Sequence, residues 1–230
     1  MNGYYILIGA ITALSAGVSQ RLKSKFAKYS NLHLQNNLSG QEIALKMLKA
    51  HGIHDVTVIS VPGQLTDHYN PSAKTVNLSE VVFSQRNAAA AAVAAHEVGH
   101  AVQHATDYPF LTFRSQLVPL VGISSRFSQV LIFGGLALGA LSSLGFGVAV
   151  VGLILMAVAT LFSFVTLPVE YDASKRALTW LEKENLLSAD EHGAASDALK
   201  WAARTYLVAA LGSLANLLYF AFTILKSRRR

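Results

Sequence analysis

The chain has 230 residues, 52% of them apolar and only 14% charged, where an average soluble domain carries roughly 25% charged residues. From Phe127 to Val169 there is no Asp, Glu, Lys or Arg, which argues against a wholly water-soluble fold. The net charge of +6 does not read as a nucleic-acid surface, because the basic residues flank apolar segments as they do at a membrane boundary. With no cysteine in the chain, disulfides and thiolate-held metals are excluded, and any metal must be held by His, Asp or Glu.

In chain order, the first apolar run covers residues 4–19 and is followed by Arg21, Lys23, Lys25 and Lys28. A signal peptide has its basic residues first, so this run reads as an uncleaved anchor helix. Ser39-Gly-Gln-Glu42 is a capping-box pattern that opens a helix to about Ala50, with Gly52 placed to end it. Val56–Val61 reads as a strand, Pro62-Gly63 as a turn, and Leu65–Tyr69 and Thr75–Leu78 as two more strands around Asn70-Pro71-Ser72. An alanine-rich helix is expected from about Ser84 to Ala105. The uncharged stretch reads as two spans, Phe127–Leu144 and Gly147–Leu167, joined by a turn containing Gly145, with Pro168 ending the second. Separate polar helices are expected over Val169–Lys183 and Ala189–Thr205, then a fourth span over Tyr206–Leu225. Arg228–Arg230 form a basic tail suited to anionic lipid. With four spans, all 19 Lys and Arg fall on one side of the membrane, and the positive-inside rule makes that side cytoplasmic.

One motif carries chemistry. His96-Glu97-Val98-Gly99-His100 matches H-E-x-x-H within the alanine-rich helix. Residues four apart stack on one helix face, so both imidazoles can reach one metal at about 2.1 Å. Glu97 then stands ready to take a proton from the water that attacks a peptide carbonyl. A catalytic zinc needs a third protein ligand. His104 lies eight residues beyond His96, about 12 Å along a helix axis, too far to share the site with it. Gln103 and Thr106 occupy the places where a metzincin pattern wants Gly and His. Glu170, the first charged residue after the apolar pair, returns to the side that holds the histidines and is the expected third ligand. Asp172 is the alternative, either as ligand or as a partner to a ligating histidine. Two His and one Glu suit a single Zn2+ per chain.

Together, Pro62-Gly-Gln-Leu-Thr-Asp-His-Tyr69, Thr75-Val-Asn-Leu-Ser79, Ala94-Ala-His-Glu-Val-Gly-His-Ala-Val-Gln103 and Leu167-Pro-Val-Glu-Tyr-Asp-Ala-Ser174 resemble the YugP-like neutral zinc metallopeptidases of bacterial membranes, over nearly the whole chain. The resemblance implies a zinc-dependent endopeptidase in the cell membrane. A broader likeness is to gluzincin-type membrane proteases, whose ligand glutamate stands in E-x-x-x-D. Glu170 matches that glutamate, but Ser174 stands where the aspartate would be.

The expected architecture is a mainly α membrane protein of about four transmembrane helices with a small α+β zincin-like catalytic domain. Residues 1–20 form the anchor, 21–126 the catalytic part, 127–167 a helical hairpin, 168–205 the segment supplying the third ligand, and 206–230 the last span and tail. Substrate strands add to sheet edges in such sites, which makes Thr75–Leu78, with Val76 and Asn77, the expected edge. His68, Tyr69, Arg204 and Tyr206 are candidates to stabilise an oxyanion, with His68 also a candidate substrate contact. The expected partners are a peptide or protein substrate and the lipid bilayer, at a multi-pass inner-membrane location with the site facing the cytoplasm. The rival reading is a non-catalytic metal-binding scaffold or transporter. A transporter is expected to carry ionisable residues within its spans, and a pure metal store has no use for Glu97.

Overall fold

The computed structural model describes residues 2–139 and 142–228. It is mainly helical, with a small three-stranded sheet. Four of its helices are long and apolar enough to cross a membrane. The described residues fall into two units.

The first unit draws on Met1–Gly17, Phe113–Leu167 and Thr205–Arg230. Helix α1 runs Asn2–Ser30, α5 Pro109–Ala137, α6 Ser143–Lys183 and α7 Ala189–Arg228. Ile132, Ala149, Met156, Phe220 and Ile224 form its buried apolar core. Several expected boundaries change here. Gly145 lies inside α6, not in a turn. A Cβ at Gly145 would stand 2.8 Å from the Gly135 carbonyl oxygen of α5, so its lack of a side chain permits close approach of that helix. The positive φ belongs to Gly139 (φ 88°), and Ser142 caps α6 by accepting from the Gly145 amide at 3.0 Å. Residues 140 and 141, between the two helices, lie outside the described residues, as do Arg229 and Arg230 of the basic tail.

Pro168 does not end the helix that holds the second apolar stretch. Helix α6 passes through it to Lys183, as α5 passes through Pro119. A proline removes one amide donor, but apolar helices tolerate it where neighbours re-satisfy the backbone. The two helices expected over Ala189–Thr205 and Tyr206–Leu225 are likewise one continuous α7.

The second unit draws on Val18–Thr112 and Pro168–Arg204. Helix α2, Gly40–Ala50, opens with the expected capping box. The Ser39 amide donates to Glu42 Oε2 at 2.7 Å and the Glu42 amide to Ser39 Oγ at 3.2 Å. Strands β1 (Thr57–Val61), β2 (His68–Asn70) and β3 (Thr75–Ser79) follow. The sheet order is β1-β3-β2, with β1 parallel and β2 antiparallel to β3. Strand β3 is therefore central, and the expectation that Val76 and Asn77 lie on an edge is overturned. Both flanks of β3 are already paired, and both side chains are buried. The edges are β1 and β2.

The helix expected from about Ser84 starts later, and a separate short helix precedes it. Helix α3 spans Glu80–Ser84, and α4 spans Ala88–Ala105 behind an Asn87 cap that accepts from the Ala90 amide at 2.9 Å. Asparagine favours the cap over the helix interior because its side chain replaces a missing backbone acceptor. The alanines explain where α4 sits. Ala88–Ala92, Ala94 and Ala95 are all buried, in a core with Ile43, Met47, Leu78, Trp180 and Leu181. Small side chains let neighbouring elements close on α4 from nearly every side.

Candidate metal centre

Two helices build the site. Helix α4 presents His96 and His100 one turn apart, their rings edge to face with centroids 4.8 Å apart. Helix α6 presents Glu170, whose Oε2 lies 3.3 Å from His96 Nε2 and 3.6 Å from His100 Nε2. The donor atoms of His96, His100 and Glu170 lie within 4.8 Å of one another. Gly99 is what lets the helices meet so closely: a Cβ there would stand 2.6 Å from the Ala173 carbonyl oxygen.

The far sides of both rings are occupied. His96 Nδ1 is 3.1 Å from Ser174 Oγ. His100 Nδ1 is 3.0 Å from Gln103 Oε1. The Gln103 amide has only one consistent orientation, because its Nε2 donates at 2.8 Å to both the Val169 carbonyl and Asp172 Oδ2, which only accept. Its oxygen must then accept from His100, so His100 carries its proton on Nδ1. This leaves the Nε2 lone pair directed at the Glu170 carboxylate. Two electron-rich atoms do not rest against each other at this range without a positive charge between them, either a second proton on the ring or a metal ion. The donor set thus fits a cation, and imidazole nitrogens with one carboxylate suit zinc.

The two buried carboxylates favour positive charge at the ring, which an added proton on Nε2 supplies when no ion is held. Burial pushes His100 toward the neutral form, but its hydrogen bond to Glu170 and the charges of Glu170 and Glu97 outweigh it, and the pKa is raised. Glu97 is buried beside the pair. Burial raises its carboxyl above the usual range, against the opposing pull of His96 and His100.

Asp172 is not among the converging donors. It accepts from Gln103, and from Arg176 Nε at 2.5 Å, so it supports His100 at one remove. Gln103, Ser174 and Gly99 are the residues that sequence reasoning missed. Their signal was helical spacing: Gln103 lies three residues after His100, and Ser174 four after Glu170, each on the same helix face as that residue. Ser174 holds the place of the aspartate in E-x-x-x-D and reaches a histidine with a hydroxyl.

The remaining candidates lie elsewhere. His68 is exposed on β2 and its Nδ1 donates to the Thr66 carbonyl at 2.8 Å. Asn77 spends its amide within the sheet, on His68 and Thr75. Tyr69 and His104 hydrogen-bond to each other at 2.8 Å, apart from the His-His-Glu cluster. The Arg204 guanidinium lies 4.1 Å over the Trp201 ring, and Tyr206 is an exposed residue of α7.

The chain is 39% identical, over 98% of its own length and 98% of the relative's, to a Bacillus subtilis (strain 168) protein named "Putative membrane protease YugP". No solved structure matches it. The model of the family described as "Putative neutral zinc metallopeptidase" matches residues 4–225, and the chain belongs to that family.

Proposed function

We propose that this protein is a membrane-bound zinc endopeptidase, with His96, His100 and Glu170 as metal ligands and Glu97 as general base. The observation that carries the reading is the convergence of two histidine Nε2 atoms and one carboxylate, each ring held from behind, beside a second buried carboxylate. A zinc ion held there would polarise the scissile carbonyl and make water a nucleophile at neutral pH. Glu97 takes a proton from the attacking water as the C–O bond forms. It returns that proton to the amide nitrogen as the C–N bond breaks, so that amine and carboxylate products leave. Its burial favours the proton-accepting half of this cycle. Ser174 and Gln103 hold the imidazoles, and the antiparallel edge β2 offers the backbone to which an extended substrate adds.

The zincin-like arrangement of the second unit, the multi-pass topology and the cytoplasmic orientation belong to the same proposal. The four apolar helices and the relative's printed name support membrane association. The basic residues that follow the first apolar run and the last one support the orientation.

The test is cleavage of casein by the detergent-purified chain, with zinc content measured on the same samples. Wild type should cleave, and a zinc chelator should abolish cleavage. Glu97→Ala should keep its zinc and lose activity by a factor of at least about 100, the scale of a general base. Glu170→Ala should lose most of its zinc. Full zinc occupancy in Glu170→Ala would remove Glu170 from the site. Zinc bound by wild type without any peptide cleavage would favour a metal-binding scaffold.

A further inference from the structure

Helices α5 and α6 pack antiparallel within the first unit. Gly152 of α6 fits against α5 between Ser128 and Ile132: a Cβ there would stand 2.7 Å from both the Ser128 oxygen and the Ile132 nitrogen. Gly135 is apposed in the same way to Ala149 and Gly145. One turn back along α5 and one turn on along α6 from Gly152, Arg126 stands level with Met156. On the reading that these helices cross a bilayer, Arg126 lies inside the span and not in the aqueous part expected over residues 21–126. Met156 is about 20 Å from the Ser143 end of α6 and about 17 Å from Leu167, at 1.5 Å per residue. The hydrocarbon core of a bilayer is about 30 Å thick, so a hairpin spanning it holds Arg126 near its middle.

The side chain lies on an outward apolar stripe. Ile123, Val130 and Phe133, at helical spacing from Arg126, are 50%, 66% and 50% exposed. Arg126 is itself exposed, as is Gln129 one turn on. Among the described residues Arg126 has no ion pair or hydrogen bond. A guanidinium at this depth requires a partner, and the sequence limits which. Between Asp107 and Glu170 there is no Asp or Glu, and residues 4–19 and 206–225 contain none either. Neither this chain nor a second copy of it therefore offers a carboxylate at mid-span. Lipid phosphates sit at the interface, farther away than an arginine side chain extends.

We propose that Arg126 and Gln129 form a docking site for a membrane-spanning helix of another protein that carries an Asp or Glu at mid-span. The guanidinium would pair with the carboxylate through two parallel N–H···O bonds, and the Gln129 amide would donate a third. The proposal rests on the reading that α5 and α6 cross the bilayer, and it is independent of the peptidase chemistry.

The experiment uses the full chain in phosphatidylcholine vesicles. A dye is placed on Glu184→Cys, in a chain that otherwise has no cysteine. Energy transfer then reports binding of a synthetic apolar single-span peptide with a central Glu, or with Leu in its place. Wild type should bind the Glu peptide about tenfold more tightly than the Leu peptide. Arg126→Leu should bind both alike, Arg126→Lys should keep most of the preference, and Gln129→Leu should keep part of it. Equal binding by wild type, or a preference that survives in Arg126→Leu, overturns the proposal. So does loss of the preference in phosphatidylglycerol vesicles, which would make a lipid phosphate the occupant. Separately, Phe127→Cys should be protected from a membrane-impermeant maleimide. Labelling as fast as that of Glu184→Cys would overturn the bilayer reading itself, whatever the peptides do.

Discussion

Replacing Gly99 with alanine adds one methyl group where α4 and α6 come closest. That methyl carbon would stand 2.6 Å from the Ala173 carbonyl oxygen and 3.1 Å from its carbonyl carbon and Cα. All three are backbone atoms, so no side-chain rotation relieves the contact. Carbon–oxygen contacts of this kind settle at about 3.3–3.6 Å, so the α6 backbone must retreat by about 0.7 Å. Ala173 lies three residues after Glu170 and one before Ser174, and the displacement reaches both. Metal sites hold their ligands to within about 0.2 Å, well inside that shift. The overpacking should cost about 1–3 kcal/mol of stability, and zinc affinity should fall by at least about tenfold. Cleavage should fall by about a hundredfold, the scale for a misplacement approaching 1 Å. Competition with a chromophoric chelator measures the affinity, and casein cleavage the activity. Gly193→Ala is the control, because nothing lies within 4 Å of its Cβ in α7. It should leave zinc unaffected and stabilise by about 0.5–1 kcal/mol, since alanine suits a helix better than glycine. Wild-type zinc affinity in Gly99→Ala would refute the close packing from which the site is derived.

Three further outcomes are expected. Gln103→Leu should weaken zinc by about 10–100-fold through loss of the His100 tether, while Gln103→Asn, whose shorter amide keeps the donor and acceptor, should recover part of it. Ser174→Ala should do the same to His96, and the two losses should combine because they act on different rings; unchanged affinity in both single variants would show that the rings need no support. The capping box makes an acid-stability prediction. The Ser39 backbone amide, helped by its hydroxyl and by Arg86, holds the Glu42 carboxyl below its usual range. A depressed pKa adds stability above the ordinary carboxylate range of about 4.3, and that stability is lost as the pH falls through the folded value. The difference in thermal stability between wild type and Glu42→Gln should therefore shrink from neutral pH toward pH ~3. A difference that stays constant over that range would place the stabilisation outside the carboxylate's charge.

What could be read from the sequence was local. The capping box at Ser39, the two histidines on one face and the turn at Asn70 each depend on residues within one or two turns of chain. Strand order was not local. Thr75–Leu78 reads as an edge because it precedes the motif helix, yet β1 and β2 enclose it, and no pattern within Thr75–Ser79 records which strands will flank it. Its continuous burial is the one hint, since a central strand buries more of itself than an edge does. Glycine and proline misled for a related reason. Gly145 and Pro168 look like a turn and a stop, but each can serve packing instead, and only the facing helix decides. Gly145 faces the Gly135 carbonyl of α5, and Pro168 lies within α6.

That continuity through Pro168 bears on how the site is made. Glu170 could have opened a separate helix, free to rotate about a break at Pro168. Instead it lies within an unbroken helix, so Glu170, Ser174 and the Val169 carbonyl hold one fixed phase. Each meets a different group of α4. Glu170 faces both Nε2 atoms, Ser174 faces the Nδ1 of His96, and Val169 anchors the Gln103 amide that fixes the Nδ1 of His100. A register slip of one residue would turn α6 by about 100° and lose all three contacts together. The placement of the Glu170 carboxylate and the supports of the two histidines are thus one structural decision, made by the seat of Ala173 on Gly99. An H-E-x-x-H motif read alone supplies two imidazoles and a carboxylate; the glycine within it here supplies the surface on which the rest is assembled.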